Sequence, residues 1–271
     1  MNETEFFIQE KELSDREVSV GLASTSQEKI GRLEVVTDRY IREGYLQGIP
    51  FARVDLKAED VVQENGLGLL YDFLDEDLFE KFIKEGLLLR FTDGQQLYLD
   101  KYHWQSAQFV AKTKQGYVGS IRLIMDHNDS EIDMYRLPTL TDENIQIDEE
   151  WKERVIHICA ELSQFAKLKE APSTVSVALL RIAAQYSRAN NIPEWLATTD
   201  NSVVRLLNGF VFNFGLPKIG PSVKYLGSDS TPVLINIEES IGNAETKGSS
   251  EGIAKFLKGE DVKGFEWYTG V

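Results

Sequence analysis

Gln108-Phe109-Val110-Ala111-Lys112-Thr113-Lys114-Gln115-Gly116-Tyr117-Val118-Gly119-Ser120-Ile121-Arg122-Leu123-Ile124 is the stretch on which the fold turns. Two runs rich in aromatic and β-branched residues flank the turn residues Lys114-Gln115-Gly116, the pattern of an antiparallel hairpin. Working outward, the apolar run from Val155 to Phe165 predicts a third strand. Pro172-Ser173-Thr174 opens a helix over about 174 to 190, with Val177, Leu180, Ala184 and Tyr186 on its apolar face. Trp195 to Thr199 reads as a strand, Asn201 as the cap of a short helix ending at Gly209, and 217 to 226 and 232 to 238 as two strands around the turn Gly227-Ser228-Asp229-Ser230.

Upstream, Ile30, Leu33, Val36, Tyr40 and Ile41 recur at helical spacing behind the capping signal Ser24-Thr25-Ser26, so a helix spans 26 to 45. The stretch from 47 to 97 predicts short helices at Leu67 to Leu74 and Glu76 to Glu85 and reads as a helical insertion or lid. From about 239 an acidic tail begins, in which Ile253, Phe256, Leu257, Phe265, Trp267 and Tyr268 offer a short helix and an anchor. The order predicts one α/β (α+β) domain over 1 to 271, a mixed central sheet flanked by helices.

The 271 residues carry a net charge of −15, which argues against a sequence-independent nucleic-acid binder, since phosphate neutralisation needs a basic face. The charge is uneven. Between Trp151 and Leu226, nine basic residues face five acidic ones, so this segment is +4 and the remainder −19. Such a face suits an anionic ligand or an acidic carrier protein, and equally suits ordinary surface charge. The acidic Met1-Asn2-Glu3-Thr4-Glu5 is followed by no long apolar core, so neither a signal peptide nor a membrane span is expected, and the cytoplasm is the expected location. The single Cys159 sits in an apolar run and reads as a buried, inert thiol in a reducing compartment, in preference to a nucleophile. His103, His127 and His157 form no metal-ligand spacing with it, and no metal is expected.

Four segments carry a family resemblance. Asp100 and Ser106 followed by Phe109 to Leu123 resemble the "D…S…F-V-A…G…V-G-S-x-R-L" stretch of acyl-homoserine-lactone (autoinducer) synthases and N-acyl amino acid synthases. Glu161-Leu162-Ser163-Gln164-Phe165 resembles their "E-x-S-R-F" strand, Arg42-Glu43-Gly44-Tyr45 the end of their first helix, and Arg205 to Gly209 with Ile219 to Gly227 their C-terminal helix and hairpin. The resemblance implies the GNAT acyltransferase fold. Gln164 stands where these families carry arginine, and His103 where a second aspartate follows Asp100. Apolar Val35 and Val36 fall where the first helix carries arginine. The tryptophan loop used around S-adenosylmethionine is not recognisable, which turns the resemblance toward the amino-acid acylating branch, and the pyrophosphate loop of acetyl-CoA-dependent relatives is missing, which argues against acetyl-CoA as donor.

The implied function is transfer of a fatty acyl group from acyl-phosphopantetheine, on acyl carrier protein or CoA, to the amine of an amino acid or related molecule, with no tightly bound cofactor. A catalytically silent ligand-binding or partner-binding module is the alternative that Gln164 and His103 leave open. Acyl transfer needs a base, an oxyanion donor and a slot for the pantetheine arm. Glu161, on an apolar strand, would have its pKa raised by desolvation and accept the proton of an ammonium, or else pair structurally with a base. Arg122 orients substrate or forms a fixed salt bridge with Asp100, the latter favoured. The resemblance implies that backbone N–H groups at a strand bulge near Arg122-Leu123-Ile124 are the oxyanion donors. Phe165, Lys167, Lys169 and Ser173, at a turn leading into a helix, are the expected phosphate and pantetheine contacts, against the reading of solvated lysines. Phe210, Phe212 and Phe214 line an acyl slot or are plain core.

Overall fold

The computed structural model describes residues 6–8, 12–15, 17–126 and 136–270. Met1 to Glu5 and His127 lie outside the described residues. The elements in order are β1 (Val18–Leu22), α1 (Ser26–Glu43), β2 (Phe51–Arg53), α2 (Ala58–Val61), α3 (Gly66–Phe73), α4 (Glu76–Glu85), β3 (Leu87–Arg90) and β4 (Gln96–Leu99). After a single turn at Lys101–His103 come β5 (Ser106–Thr113), β6 (Gly116–Met125), α5 (Pro138–Thr141), α6 (Glu149–Val155), β7 (Ala160–Lys167), α7 (Thr174–Ala189) and β8 (Glu194–Asp200). The chain continues with α8 (Asn201–Asn208), β9 (Val223–Tyr225), β10 (Ser228–Asn236), α9 (Ile237–Glu245), α10 (Glu251–Lys258) and β11 (Tyr268–Thr269).

Eight strands form one mixed sheet in the order β11-β1-β5-β6-β7-β8-β10-β9. The β5–β6 hairpin lies at its centre with Phe109 opposite Ile121. Because side chains alternate across a strand, this hairpin serves two faces at once. Phe109, Ile121 and Leu123 join Leu179, Ile182 and Ala183 of α7 in the main core. Gln108 and Ser120, one residue over, reach Arg32 of α1 on the opposite face. Gly119 permits the close approach of α7, because a Cβ there would stand 2.4 Å from Val175 Cγ1.

Thr25 begins α1 with a reciprocal cap, its hydroxyl accepting from Glu28 N while the Glu28 carboxylate accepts from Thr25 N. Gly44 ends α1 at φ 77°, the left-handed conformation that a terminating glycine adopts.

Several sequence expectations shift. The stretch from 47 to 97 is not helical alone: β2, β3 and β4 form a second, three-stranded sheet, and Leu70, Phe82, Leu87, Leu89, Leu97 and Leu99 build a core of their own that includes Leu33 of α1. The strand expected from Val155 begins only at Ala160, since α6 occupies 149–155 and its apolar Val155 packs with Leu137 and Ile219. Asp200, not Asn201, caps α8, accepting from Ser202 N at 2.6 Å. The hairpin turn is Leu226-Gly227, both left-handed, and the strand expected over 217 to 226 is reduced to Val223–Tyr225. The acidic tail is ordered into α9, α10 and β11, and β11 runs parallel to β1. Phe256 and Tyr268 of this region sandwich the Arg181 guanidinium of α7 at 4.5 and 4.4 Å, a paired cation–π contact. Among the described residues no helix is long and apolar enough to cross a membrane.

Candidate active site

The sheet opens in one place. β7 and β8 run parallel and pair only at Glu161 and Leu196, although β7 continues to Lys167 and β8 to Asp200. Beyond that point the strands diverge, so alternate main-chain amides on each face a gap instead of a ladder partner. A cavity of about 400 Å³ fills the gap, with Leu162 to Ala166 on one wall and Ala197 to Asp200 on the other. Exposed main-chain donors and acceptors on an unpaired strand edge are suited to an extended ligand that carries amides of its own.

Glu161 sits at the apex of this opening and lines the cavity, only 4 % exposed. Thr139 of α5 donates its backbone N–H to Glu161 Oε2 at 2.8 Å, and its hydroxyl meets that of Thr198 on β8 at 2.8 Å. Burial pushes the Glu161 carboxyl up to about 7, and the Thr139 contacts offset only part of the rise. Near neutral pH the group is therefore divided between acid and carboxylate, the condition that suits a general base. Tyr102 and Tyr225 line the same cavity. Burial raises both phenols well above the ordinary tyrosine value, and the Glu161 carboxylate adds to the rise in each.

A buried polar network lies farther along β7. Arg122 grips Asp100 through two bonds of 2.7 and 2.6 Å, a bidentate pair. Burial alone would raise the Asp100 carboxyl, but the Arg122 guanidinium outweighs it and holds the acid below its ordinary range. Gln164 donates to Asp100 Oδ2 at 3.3 Å and accepts from Arg32 Nη1 at 2.6 Å. Arg32 also donates from Nε to Gln108 Oε1 at 3.0 Å. Fully buried and facing a second arginine, its guanidinium is lowered to about 9 by desolvation first and by Arg122 next. His103 is likewise kept neutral: burial, then Arg32, lowers its imidazole to about 3. Its Nε2 lies 3.3 Å from the Val62 carbonyl, so the proton belongs there and Nδ1 faces the Gln108 amide as acceptor.

Of the residues singled out from sequence, Glu161, Arg122, Asp100 and Phe165 line the cavity together. Leu123 does not. Its side chain belongs to the main core, and it pairs with Ala107 on one side and Leu162 on the other, so its amide is taken by the ladder. The bulge expected near Arg122-Leu123-Ile124 falls instead in β7, where Gln164 and Phe165 together oppose Ile121 and Gln164 takes φ 48°. Lys167 donates to the Ala171 carbonyl at 2.9 Å and ties down its own turn. Lys169 and Ser173 are exposed, and none of the three reaches the cavity lining. Two of the first amides of α7, at Val175 and Ser176, bond back to Pro172 and Ser173, which reduces what that helix end offers a phosphate. Phe212 and Phe214 are core residues, and Phe210 is 74 % exposed, so none forms an acyl slot.

Arg32 and Tyr225 were missed in the sequence. The resemblance places the first-helix arginine at the positions of Val35 and Val36; Arg32, about one turn earlier, carries the guanidinium to this face of the sheet. Tyr225 falls in a hairpin that the sequence predicts, but no local feature marks it as lining the same cavity as Glu161. Among the described residues no cluster of three or more metal-ligating side chains occurs.

No family model and no curated protein matches the sequence. The structure is similar to that of FeeM, an N-acyl amino acid synthase from uncultured soil microbes, with a TM-score of 0.47 and 13% identity over 83% of this chain and 94% of that one. It is similar to the acyl-homoserine-lactone synthase LasI, with a TM-score of 0.43 and 15% identity over 81% of this chain and 88% of that one. It is also similar to BjaI, a CoA-dependent acyl-homoserine-lactone synthase solved with S-adenosylmethionine and isopentyl-CoA, with a TM-score of 0.43 and 13% identity over 79% and 87%.

Proposed function

We propose that the protein is an N-acyltransferase that moves a fatty acyl group from a phosphopantetheine thioester, carried by acyl carrier protein or CoA, to the amine of an amino acid or related small molecule. The observation that carries this reading is the position of Glu161: a buried carboxyl, raised to about 7, at the apex of a cavity formed by two diverging parallel strands. The gap between β7 and β8 suits the amides of a pantetheine arm, which would form the strand-like bonds that the two edges lack. The thioester carbonyl would then lie near Glu161.

In the reaction, the carboxylate form of Glu161 takes one proton from the acceptor ammonium, directly or through water. The freed nitrogen lone pair forms the C–N bond at the thioester carbon, and charge develops on the carbonyl oxygen. Collapse breaks the C–S bond, the thiolate leaves and takes a proton from solvent, and the new amide nitrogen loses its second proton. The Arg122–Asp100 pair, with Gln164 and Arg32 behind it, fixes the cavity-lining part of β7 and has no free carboxylate with which to compete as base.

Purified protein with octanoyl-CoA or octanoyl acyl carrier protein and a panel of amino acids and other amines should release free thiol and yield the N-acyl product by mass spectrometry. Glu161→Gln should lower both by at least about 100-fold. Thermal stabilisation by the acyl donor without thiol release would instead support a silent binding module. Such donors occur in the cytoplasm, in keeping with the lone half-buried thiol of Cys159.

A further inference from the structure

The acyl-transfer reading leaves the oxyanion without a side-chain partner, and the structure narrows the choice. The β6 amides around Leu123 are committed to neighbouring strands, whereas main-chain amides along the open edge of β7 face the cavity, and a side-chain donor would act beside them. Around Glu161, Thr139 spends its N–H on the carboxylate and its hydroxyl on Thr198. The Tyr102 phenol is held beside Thr141, whose side chain partly offsets the effect of burial on it. Tyr225 remains: it lines the cavity, the Glu161 carboxylate has the largest charge effect on its phenol, and its hydroxyl has no hydrogen-bond partner among the described residues.

The backbone holds Tyr225 in place. Tyr225 pairs with Ser228 across the two-residue turn Leu226-Gly227, at φ 45° and 78°, whose twist matches that of a hairpin. The tip rests on the end of α1, where a Cβ on Gly227 would stand 3.4 Å from the Gly44 carbonyl oxygen. Ser228 Oγ donates back to the Tyr225 carbonyl at 3.3 Å. A donor fixed before the substrate arrives needs little reorganisation as charge develops.

We propose that Tyr225 is a catalytic residue, whose hydroxyl donates a hydrogen bond to the thioester carbonyl oxygen as it becomes an oxyanion. The inference rests on the acyl-transfer reading of this cavity. The phenol proton stays on Tyr225 throughout: charge builds on the carbonyl oxygen as the C–N bond forms and returns as the C–S bond breaks. A phenol whose proton is held more tightly than usual remains a neutral donor across the working pH range.

Two measurements test this in the full chain. Tyr225→Phe should lower kcat for thiol release from octanoyl-pantetheine by about 100-fold, the size expected for one oxyanion donor, with KM within about twofold. A ketone analogue of octanoyl-pantetheine, with CH2 in place of sulfur and 13C at the carbonyl, should show a downfield carbonyl shift on the wild type that Tyr225→Phe abolishes. An active wild type with kcat unchanged in Tyr225→Phe overturns the assignment and leaves the acyl-transfer reading intact, as does a carbonyl resonance identical on the two proteins. A wild type that releases no thiol from any donor overturns both.

Discussion

Arg32 and Gln164, separated by 132 positions in the chain, meet at 2.6 Å in the buried network beside the cavity. Gln164 stands where the resembled synthases carry arginine, and Arg32 delivers a guanidinium to that place from α1. A third cation at 164 would join Arg32 and Arg122, with Asp100 as the one carboxylate in their midst. Gln164→Arg is therefore expected to destabilise the fold by about 2–4 kcal/mol in urea titrations. Arg32→Gln combined with Gln164→Arg moves the charge without adding one and should recover at least about 1 kcal/mol of that loss. Strict additivity of the two changes would show that the pair is not coupled.

Asp100 carries the opposite liability. It is the acidic partner of Arg122, whose side chain is 3 % exposed, so Asp100→Asn leaves a buried cation unpaired. A loss of about 3–5 kcal/mol is expected by chemical denaturation at pH 7. Because the folded Asp100 carboxyl lies below its ordinary value of 3.8, its contribution is present above that pH and disappears as the pH falls further. The gap between wild type and Asp100→Asn should accordingly narrow below pH 4, and a gap that is constant from pH 7 to pH 3 would contradict the ion-pair account.

The parts of the fold legible in the sequence are those whose pattern is local. The hairpin around Lys114-Gln115-Gly116, the helix behind Thr25 and the helix after Pro172 each carry a full period and a cap or turn. β2, β3 and β4 are three or four residues long, too short for alternation to show, and they exist because Leu87, Leu89, Leu97 and Leu99 share a core assembled from distant helices. The run Val155 to Ile158 imitates a strand because it is apolar, yet α6 ends there and packs on a third cluster. Glu161, Arg122 and Asp100 were readable as a set from the family-like segments. The hairpin that carries Tyr225 is legible from its turn residues, displaced by one position, but the bulge at Gln164 depends on inter-strand register, which leaves no trace in spacing along one strand.

Gly119 tests the packing that positions β6. Its missing Cβ is what lets Val175 and Leu179 of α7 approach, since an added methyl would lie 2.4 and 3.0 Å from their side chains. Gly119→Ala should cost about 1–3 kcal/mol through overpacking, against the small gain that a strand ordinarily makes when glycine is replaced. Thermal melts settle the sign, and a stabilised variant would mean that α7 yields freely.

Glu161 links stability and activity through one titration. Its folded pKa is raised, to about 7 from 4.5, so below pH 4.5 both folded and unfolded chains hold the proton and the residue costs nothing. Between pH 4.5 and 7 the folded state binds more protons than the unfolded, and stability falls as the pH rises; above 7 the loss is complete, roughly 3 kcal/mol from the difference between the two values. Glu161→Gln keeps an acceptor for the Thr139 N–H and removes the titration. It should match the wild type at pH 4 and exceed it by about 2–3 kcal/mol at pH 8 in urea unfolding. Thiol release should run the other way: the wild-type rate should climb with pH through a midpoint near 7, whereas the variant should be slower by at least about 100-fold and lack that limb. A variant that gains stability at pH 8 yet keeps its full rate would show that the carboxyl is desolvated for another reason, and the base would have to be sought elsewhere in the cavity.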